Sequence, residues 1–341
     1  MEDWRHPLSA VIVFVVGLAV CAGILLVASP REEGNVRIHL TPRYHTVKRH
    51  INKYSHILEE TQIGLPGMRE GYRRRRQKVE KGVIHLKSRG AILKDYLPSG
   101  KPTEKYKSLR GNGEGFNLSF KSCAVVHSSG VMANSSLGSV IDSYDGVFRL
   151  DADPTSGHED DVGEKTSVRV VAPNSISELD VKRELLQNET LVFYGSEHIF
   201  SLGLAPKVIF NISSSYPDMA VYRMTDGFEM AANSLFELHT NIKRRKVEME
   251  FSSAFHAVLL MMDVCQESHL YGFIPNEYCL DSRLSQLASY KYYHQRKEDL
   301  TECEVYQALA EMGSNRPFKE REVIKDLQEE GKVTVKKPLW T

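Results

Sequence analysis

The chain has 341 residues and carries 44 Lys+Arg against 44 Asp+Glu, so its formal net charge is +0. A balanced chain has no whole-molecule field to draw nucleic acid, and no nucleic-acid partner is expected. The length suits one large domain or two small ones, and the 41% hydrophobic fraction is that of a globular protein with an apolar segment added.

That segment is Leu8–Ala28, which is interrupted only by small residues. About 20 such residues span a bilayer core, whereas the apolar cores of signal peptides run about 7–15. Val27-Ala28-Ser29 would serve as a cleavage site, but the length favours an uncleaved anchor. Arg5 and His6 precede the run and Arg31 follows it, a weak positive-inside signal. A tail as short as residues 1–7 before a single anchor, residues 8–28, predicts a type II arrangement with the rest of the chain in a lumen. Four Asn-X-Ser/Thr sequons follow, at Asn117, Asn134, Asn188 and Asn211, and point to a secretory route. Cys21 lies in the apolar run; Cys123, Cys265, Cys279 and Cys303 form an even set that suits two disulfides. No Cys-x-x-Cys pair occurs, so no zinc site is expected.

Residues 29–115 are polar and basic and read as a stem. The run Arg73–Arg76 is either a processing site or a solvated helical stretch, and the second reading is preferred. The remainder, residues 116–341, reads as the luminal domain, its texture changing at Ser122. Strands are predicted at Cys123–His127, Gly146–Leu150, Ser167–Ala172, Thr190–Tyr194, Lys207–Phe210, Val221–Met224 and Leu270–Ile274. Several are continuous apolar runs, which suits strands buried on both faces. Helices are predicted at Ser177–Leu186 and Ala254–Cys265. The alternation predicts an α/β domain with a largely parallel sheet flanked by helices, of the kind that binds nucleotides at the carboxyl ends of its strands.

The first segment that carries chemistry is Cys123-Ala-Val-Val-His-Ser-Ser-Gly130, a strand running into a turn whose small residues let backbone amides approach a phosphate. After it come Gly138-Ser-Val-Ile-Asp142, Arg149-Leu-Asp-Ala-Asp-Pro-Thr155, Gly157, Asp161-Val-Gly-Glu-Lys-Thr166 and Val168-Arg-Val-Val-Ala172. A second segment is Ser252-Ser-Ala-Phe-His256, then Asp263-Val-Cys265 and Leu270-Tyr-Gly-Phe273, where two serines and a small residue open a helix whose first amides form an anion site. A third is Ser289-Tyr-Lys-Tyr-Tyr-His294, and a fourth runs from Gly313 to Val323.

These segments, in this order, resemble the sialyl motifs of the animal sialyltransferases, glycosyltransferase family 29, and most nearly the branch that adds α2,6-linked sialic acid to N-acetylgalactosamine. The resemblance covers roughly Ser122 to Trp340 and is weakest between Tyr194 and Lys246. It implies a Rossmann-like, GT-A-like fold in the Golgi lumen. It also implies CMP-sialic acid as donor substrate, a glycoprotein or glycolipid glycan as acceptor, and no metal or other cofactor. It assigns donor-nucleotide binding to Ser128, Ser129, Gly130, Asp151, Ser252, Ser253, Ala254 and Gly272, and pairs Cys123 with Cys265 and Cys279 with Cys303. It also exposes departures. Ala254 stands where the family has glycine, and Asp151 where it has an asparagine that contacts the nucleotide. Lys291 stands where a family histidine donates to the donor phosphate, and His294 takes the place of an acid. Asn315 replaces the histidine that acts as base, with Glu320 kept at the family spacing.

A general base needs a pKa near working pH, which the Asn315 amide lacks; losing a base costs typically about 10²–10⁴ in rate. Lys291 still offers phosphate a point charge. Three readings follow: a divergent active sialyltransferase, with His294 or His256 recruited as base; a glycan- or partner-binding pseudoenzyme of the same fold; or a metal-dependent glycosyltransferase using the Asp151-Ala-Asp153 pattern. The first is preferred.

Overall fold

The computed structural model describes residues 104–110, 115–182, 186, 189–201, 204–243, 250–294 and 299–336. Among these, eight strands form one sheet: β1 (Tyr106–Ser108), β2 (Phe120–Val126), β3 (Gly146–Leu150), β4 (Val168–Val171), β5 (Thr190–Phe193), β6 (Val221–Met224), β7 (Cys265–Tyr271) and β8 (Thr334–Lys336). Their order is β1-β6-β5-β4-β3-β2-β7-β8. β1 joins β6 antiparallel, and every other pairing is parallel. From β2 the chain steps outward in one direction through β3 to β6, then returns to lay β7 against the other side of β2. The crevice beyond the carboxyl ends of β2 and β7 is therefore the switch point at which such sheets bind ligands.

The helices are α1 (Gly138–Asp142), α2 (Glu159–Val162), α3 (Ile176–Val181), α4 (Glu197–Ser201), α5 (Leu204–Ser215), α6 (Asp226–Thr240), α7 (Ser253–Val264), α8 (Glu302–Glu311) and α9 (Arg316–Glu329). Every residue of β3, β4 and β6 is buried, as their continuous apolar runs predict. α7 is apolar around most of its circumference, and ten of its residues, Ala254 to Met262 with Val264, are buried; this is the signature of a core helix. It packs across β2, β3, β4 and β7 and so aims its N-terminus at the switch-point crevice.

Much of the stretch 138–172 builds this scaffold. Arg149 is buried, and its guanidinium is satisfied by the carbonyls of Val162, Gly163 and Lys165 and by Thr166 Oγ1. Asp142 accepts from the backbone N–H groups of Glu164 and Lys165, and Asp161 accepts from those of Asn134 and Ser136. Arg169 is buried against Glu189 and donates to the carbonyls of Asp151 and Asp153 at 3.0 and 3.2 Å.

Both expected disulfides form, Cys123–Cys265 with Cα atoms 6.1 Å apart and Cys279–Cys303 with Cα atoms 5.4 Å apart. At Gly146, paired in register with Cys123, a Cβ would come within 2.9–3.0 Å of the Phe120 ring and the Cys123 sulfur.

Some predicted elements differ. Lys207–Phe210 is helix, part of α5, because Ala205, Val208, Ile209 and Ile212 are buried at helical spacing while Phe210 is exposed. A four-residue apolar run is too short to reveal that period. β7 begins at Cys265 and ends before Gly272, whose φ of +78° stops the strand; exposed Gln266 and Glu267 hide its first half. The helix expected over Ser177–Leu186 is α3, Ile176–Val181, with a 3₁₀ turn before it. β1 lies within the stretch read as stem, so the folded domain begins before residue 116.

No helix among the described residues is long and apolar enough to cross a membrane. The tail, the Leu8–Ala28 anchor, Arg73–Arg76 and Asn188 lie outside the described residues. Asn117 and Asn134 are exposed, and Asn211 is half-buried on α5.

Candidate active site

The switch-point cleft is lined by strand ends, by helix starts and by the aromatic segment, with Glu302 and Tyr306 of α8 among its walls. His127 and Ser128 leave the end of β2, Leu150 and Asp151 the end of β3, and Phe273 and Ile274 the end of β7; Ser252 to Phe255 bring the start of α7. Tyr290 and Lys291 bring the aromatic segment, and Arg316, Pro317, Glu320, Arg321 and Ile324 bring the first half of α9.

The turn after β2 is fixed by main-chain bonds. Gly130 N–H donates to Ser289 O at 3.0 Å and Tyr292 N–H to Ser128 O at 2.8 Å, so the aromatic segment runs alongside the turn. A Cβ at residue 130 would sit 2.3 Å from Ser289 O, which is why glycine is required there. Only Ser128 of the expected Ser-Ser-Gly trio lines the cleft. Ser129 is fully buried, donates its hydroxyl to Glu302, and caps the 3₁₀ turn Gly130–Met132. Gly272 is likewise a packing residue: its positive φ admits few side chains, and a Cβ there would come within 3.0 Å of Met132 and 3.1 Å of His127 O. Ser129, Gly130 and Gly272 thus stand behind the cleft lining rather than in it.

Asp151 joins the stretch 138–172 to the segment that opens at Ser252. It adopts φ +45°, which Asp tolerates better than most residues. Its carboxylate accepts from Ala172 N–H at 2.8 Å and from Ser253 Oγ at 2.6 Å. Burial, and then the neighbouring Asp153, push its pKa above the usual carboxylate range. Asp153 accepts from Tyr293 Oη at 2.7 Å and Lys291 Nζ at 3.3 Å. Burial works against the Lys291 charge, but Asp153 and Asp151 outweigh it and raise its pKa. The two carboxylates of the Asp-X-Asp pattern are thus engaged by separate donors. No cluster of three metal-ligating His, Cys, Asp or Glu occurs among the described residues.

The start of α7 is held by α9. Ser252 is the N-cap, its Oγ accepting from Phe255 N–H at 3.1 Å. Its own N–H and hydroxyl donate to Glu320, at 2.9 and 2.7 Å. Ala254 follows, buried at the cleft wall. Asn315 is the exposed N-cap residue of α9 and makes no side-chain cap bond. It stands one residue outside the lining, whereas Arg316 and Pro317 are part of it.

Neither substitute base enters the cleft lining. His294 is exposed, its N–H on Lys291 O at 3.0 Å. His256 is buried on α7, stacked on Tyr194 at 3.8 Å, with Nδ1 3.0 Å from Ser252 O and Nε2 2.8 Å from Glu229. It is a clamped core histidine.

Sequence reasoning missed Glu302, Tyr306 and Arg321. Glu302 is buried, accepts from Ser129 Oγ, from Tyr306 Oη at 2.7 Å and from Arg321 at 3.3 Å. Burial raises its pKa, with Arg321 opposing. Arg321 also lies over the Tyr306 ring at 4.1 Å. The available signal was Thr301-x-x-Glu304, which forms a full capping box and starts α8 at Glu302. His127 was missed as well: burial first, then Arg321 and Lys291, lower its pKa to about 3.

A family model for glycosyltransferase family 29 (sialyltransferase) matches residues 97–332. The human alpha-N-acetyl-neuraminyl-2,3-beta-galactosyl-1,3-N-acetyl-galactosaminide alpha-2,6-sialyltransferase is 29% identical over 232 residues, 64% of this chain and 75% of the relative. The mouse protein of that name is 26% identical, over 64% of this chain and 62% of its own length. Rat alpha-N-acetylgalactosaminide alpha-2,6-sialyltransferase 3 is 27% identical, over 67% and 76%. A mammalian sialyltransferase crystal structure aligns at 21% identity with a TM-score of 0.43, over 64% of this chain and 69% of that one; a second, with Gal-beta-1-3GalNAc-ortho-nitrophenol bound, gives the same TM-score. With its motifs in order and a family match across most of its length, the chain belongs to glycosyltransferase family 29, the sialyltransferases.

Proposed function

We propose that the chain transfers sialic acid from CMP-sialic acid to a glycoprotein or glycolipid glycan, by an α2,6 linkage to N-acetylgalactosamine, without a metal. What supports this is the hydrogen bond of 2.6 Å between Ser253 and Asp151, which brings the two sialyl motifs to one crevice. In this reading Ser128 and the N-terminal amides of α7 cradle the cytidine nucleotide, and Lys291 meets the phosphate. The acceptor hydroxyl attacks the anomeric carbon, the bond to the phosphate oxygen breaks, and CMP leaves with the electron pair. The proton of the hydroxyl goes to water, since Asn315 cannot take it. Positioning and leaving-group stabilisation supply the rate that remains. The protein would act in the Golgi lumen, held to the membrane by the Leu8–Ala28 anchor.

The test is transfer of labelled sialic acid from CMP-sialic acid to desialylated mucin-type glycoproteins, with and without EDTA. Label on the acceptor that is unchanged by EDTA is expected. CMP binding with no label on any acceptor would overturn the transferase reading, and a requirement for manganese would overturn metal independence.

A further inference from the structure

Among the described residues that line the cleft, His127 is the one histidine. We propose that His127 binds the donor directly, giving a hydrogen bond from Nε2–H to the phosphate of a cytidine nucleotide. This rests on the donor-site reading above.

The geometry fixes the tautomer. His127 follows β2, with its backbone N–H on Tyr271 O at 2.9 Å, and its ring lines the cleft beside Phe273, 5.1 Å away between centroids. Nδ1 accepts from Ser129 N–H at 3.1 Å. A neutral imidazole that accepts at Nδ1 carries its proton on Nε2. Nε2 has no hydrogen-bond partner among the described residues.

The charges around it say what it would meet. Arg321 from α9 and Lys291 from the aromatic segment both act on the ring, so His127 stands in the positive part of the cleft. The carboxylates of Glu302 and Asp151 line the same cleft. Each cation already has an acid: Arg321 has Glu302 at 3.3 Å, Lys291 has Asp153 at 3.3 Å, and Arg316 has Glu320 at 3.9 Å. An entering phosphate must compete for those, whereas the His127 donor is uncommitted. The same two cations, with burial, keep the ring neutral, so the donor does not depend on pH above mildly acidic values.

Two variants separate the two ring nitrogens. In His127→Asn the amide oxygen takes over acceptance from Ser129 N–H, and nothing replaces Nε2. In His127→Gln the amide nitrogen falls near the place of Nε2, and the Ser129 partner is lost. CMP affinity is read by calorimetry on the full-length protein, with melting curves as a fold check. His127→Asn should keep its melting temperature and bind CMP about 10- to 100-fold more weakly, the loss of a hydrogen bond to a charged group. His127→Gln should melt lower yet bind CMP within about threefold of wild type. The ratio of wild-type to Asn-variant affinity should stay constant between mildly acidic and neutral pH. Equal affinity of wild type and His127→Asn overturns the inference and leaves the donor-site reading standing. A ratio that grows as pH falls overturns the neutral-donor role. If His127→Asn fails to fold, a loss of affinity in folded His127→Gln overturns the inference, and retained affinity supports it. Wild-type protein that binds no CMP overturns the donor-site reading and the inference with it.

Discussion

Glu320→Ala removes the acid that ties α9 to the start of α7. Two hydrogen bonds from Ser252, at 2.9 and 2.7 Å, lose their acceptor, and the Glu320 site itself is only 6% exposed. Hydrogen bonds to charged groups contribute about 1.5–3 kcal/mol each. Ser252 is half-buried, so water recovers part of the loss, and about 3 kcal/mol is expected for the pair. For a domain of this size that lowers Tm by about 6–12 °C. Glu320→Gln keeps one acceptor and should cost about half as much. A double-mutant cycle with Ser252→Ala isolates the hydroxyl arm, because the backbone arm survives in that variant; a coupling of about 1.5 kcal/mol is expected. Because α7 begins in the cleft, CMP affinity should fall together with Tm. A Tm within about 1 °C of wild type, or costs that simply add across the cycle, would refute the anchoring role.

Restoring Asn315→His should raise the transfer rate by about 10²–10⁴-fold, alone or with Lys291→His; because Asn315 is exposed and caps nothing with its side chain, Tm should hold, and a flat rate with CMP binding intact would place the base elsewhere. Asp151→Asn keeps both hydrogen bonds, with Ser253 Oγ accepting. The Asp151 pKa is raised in the fold, so its contribution to stability is full below about 3.9, the unfolded value, and is lost as pH rises through the folded value; the variant's Tm advantage should therefore grow across that window and then level off. Replacing Cys279 and Cys303 together by serine opens a loop whose ends are 24 residues apart. In the chain-entropy model this costs about 3.5 kcal/mol, read by denaturant melts, and should also loosen Glu302 beside it.

The sheet was legible because its central strands carry continuous apolar runs such as Val168–Val171, buried on both faces. β1 and β8, three residues each at the sheet edges, hold too little pattern to read. The site was legible as a set of segments but less so by residue. Serine and glycine in a turn serve equally as phosphate cradle or as packing, and only the position of Ser289 assigns Gly130 to packing. Ser129 was opaque for the same reason: its partner Glu302 lies 173 positions away. Asp151, by contrast, stood out as a departure from the asparagine that the resemblance expects, and it does stand at the meeting of the two motifs.

The aromatic segment is held to the turn after β2 by Gly130 N–H to Ser289 O and by Tyr292 N–H to Ser128 O, that is, by main chain alone. A frame of this kind is indifferent to what residue 291 carries. Exchanging a side chain there alters the charge offered to a ligand without moving the wall that offers it, so the site can change chemistry one residue at a time while its shape is inherited intact. The positions most open to such drift are those whose backbone is bonded and whose side chain is not needed for packing, and exposed His294, with its N–H on Lys291 O, meets that description.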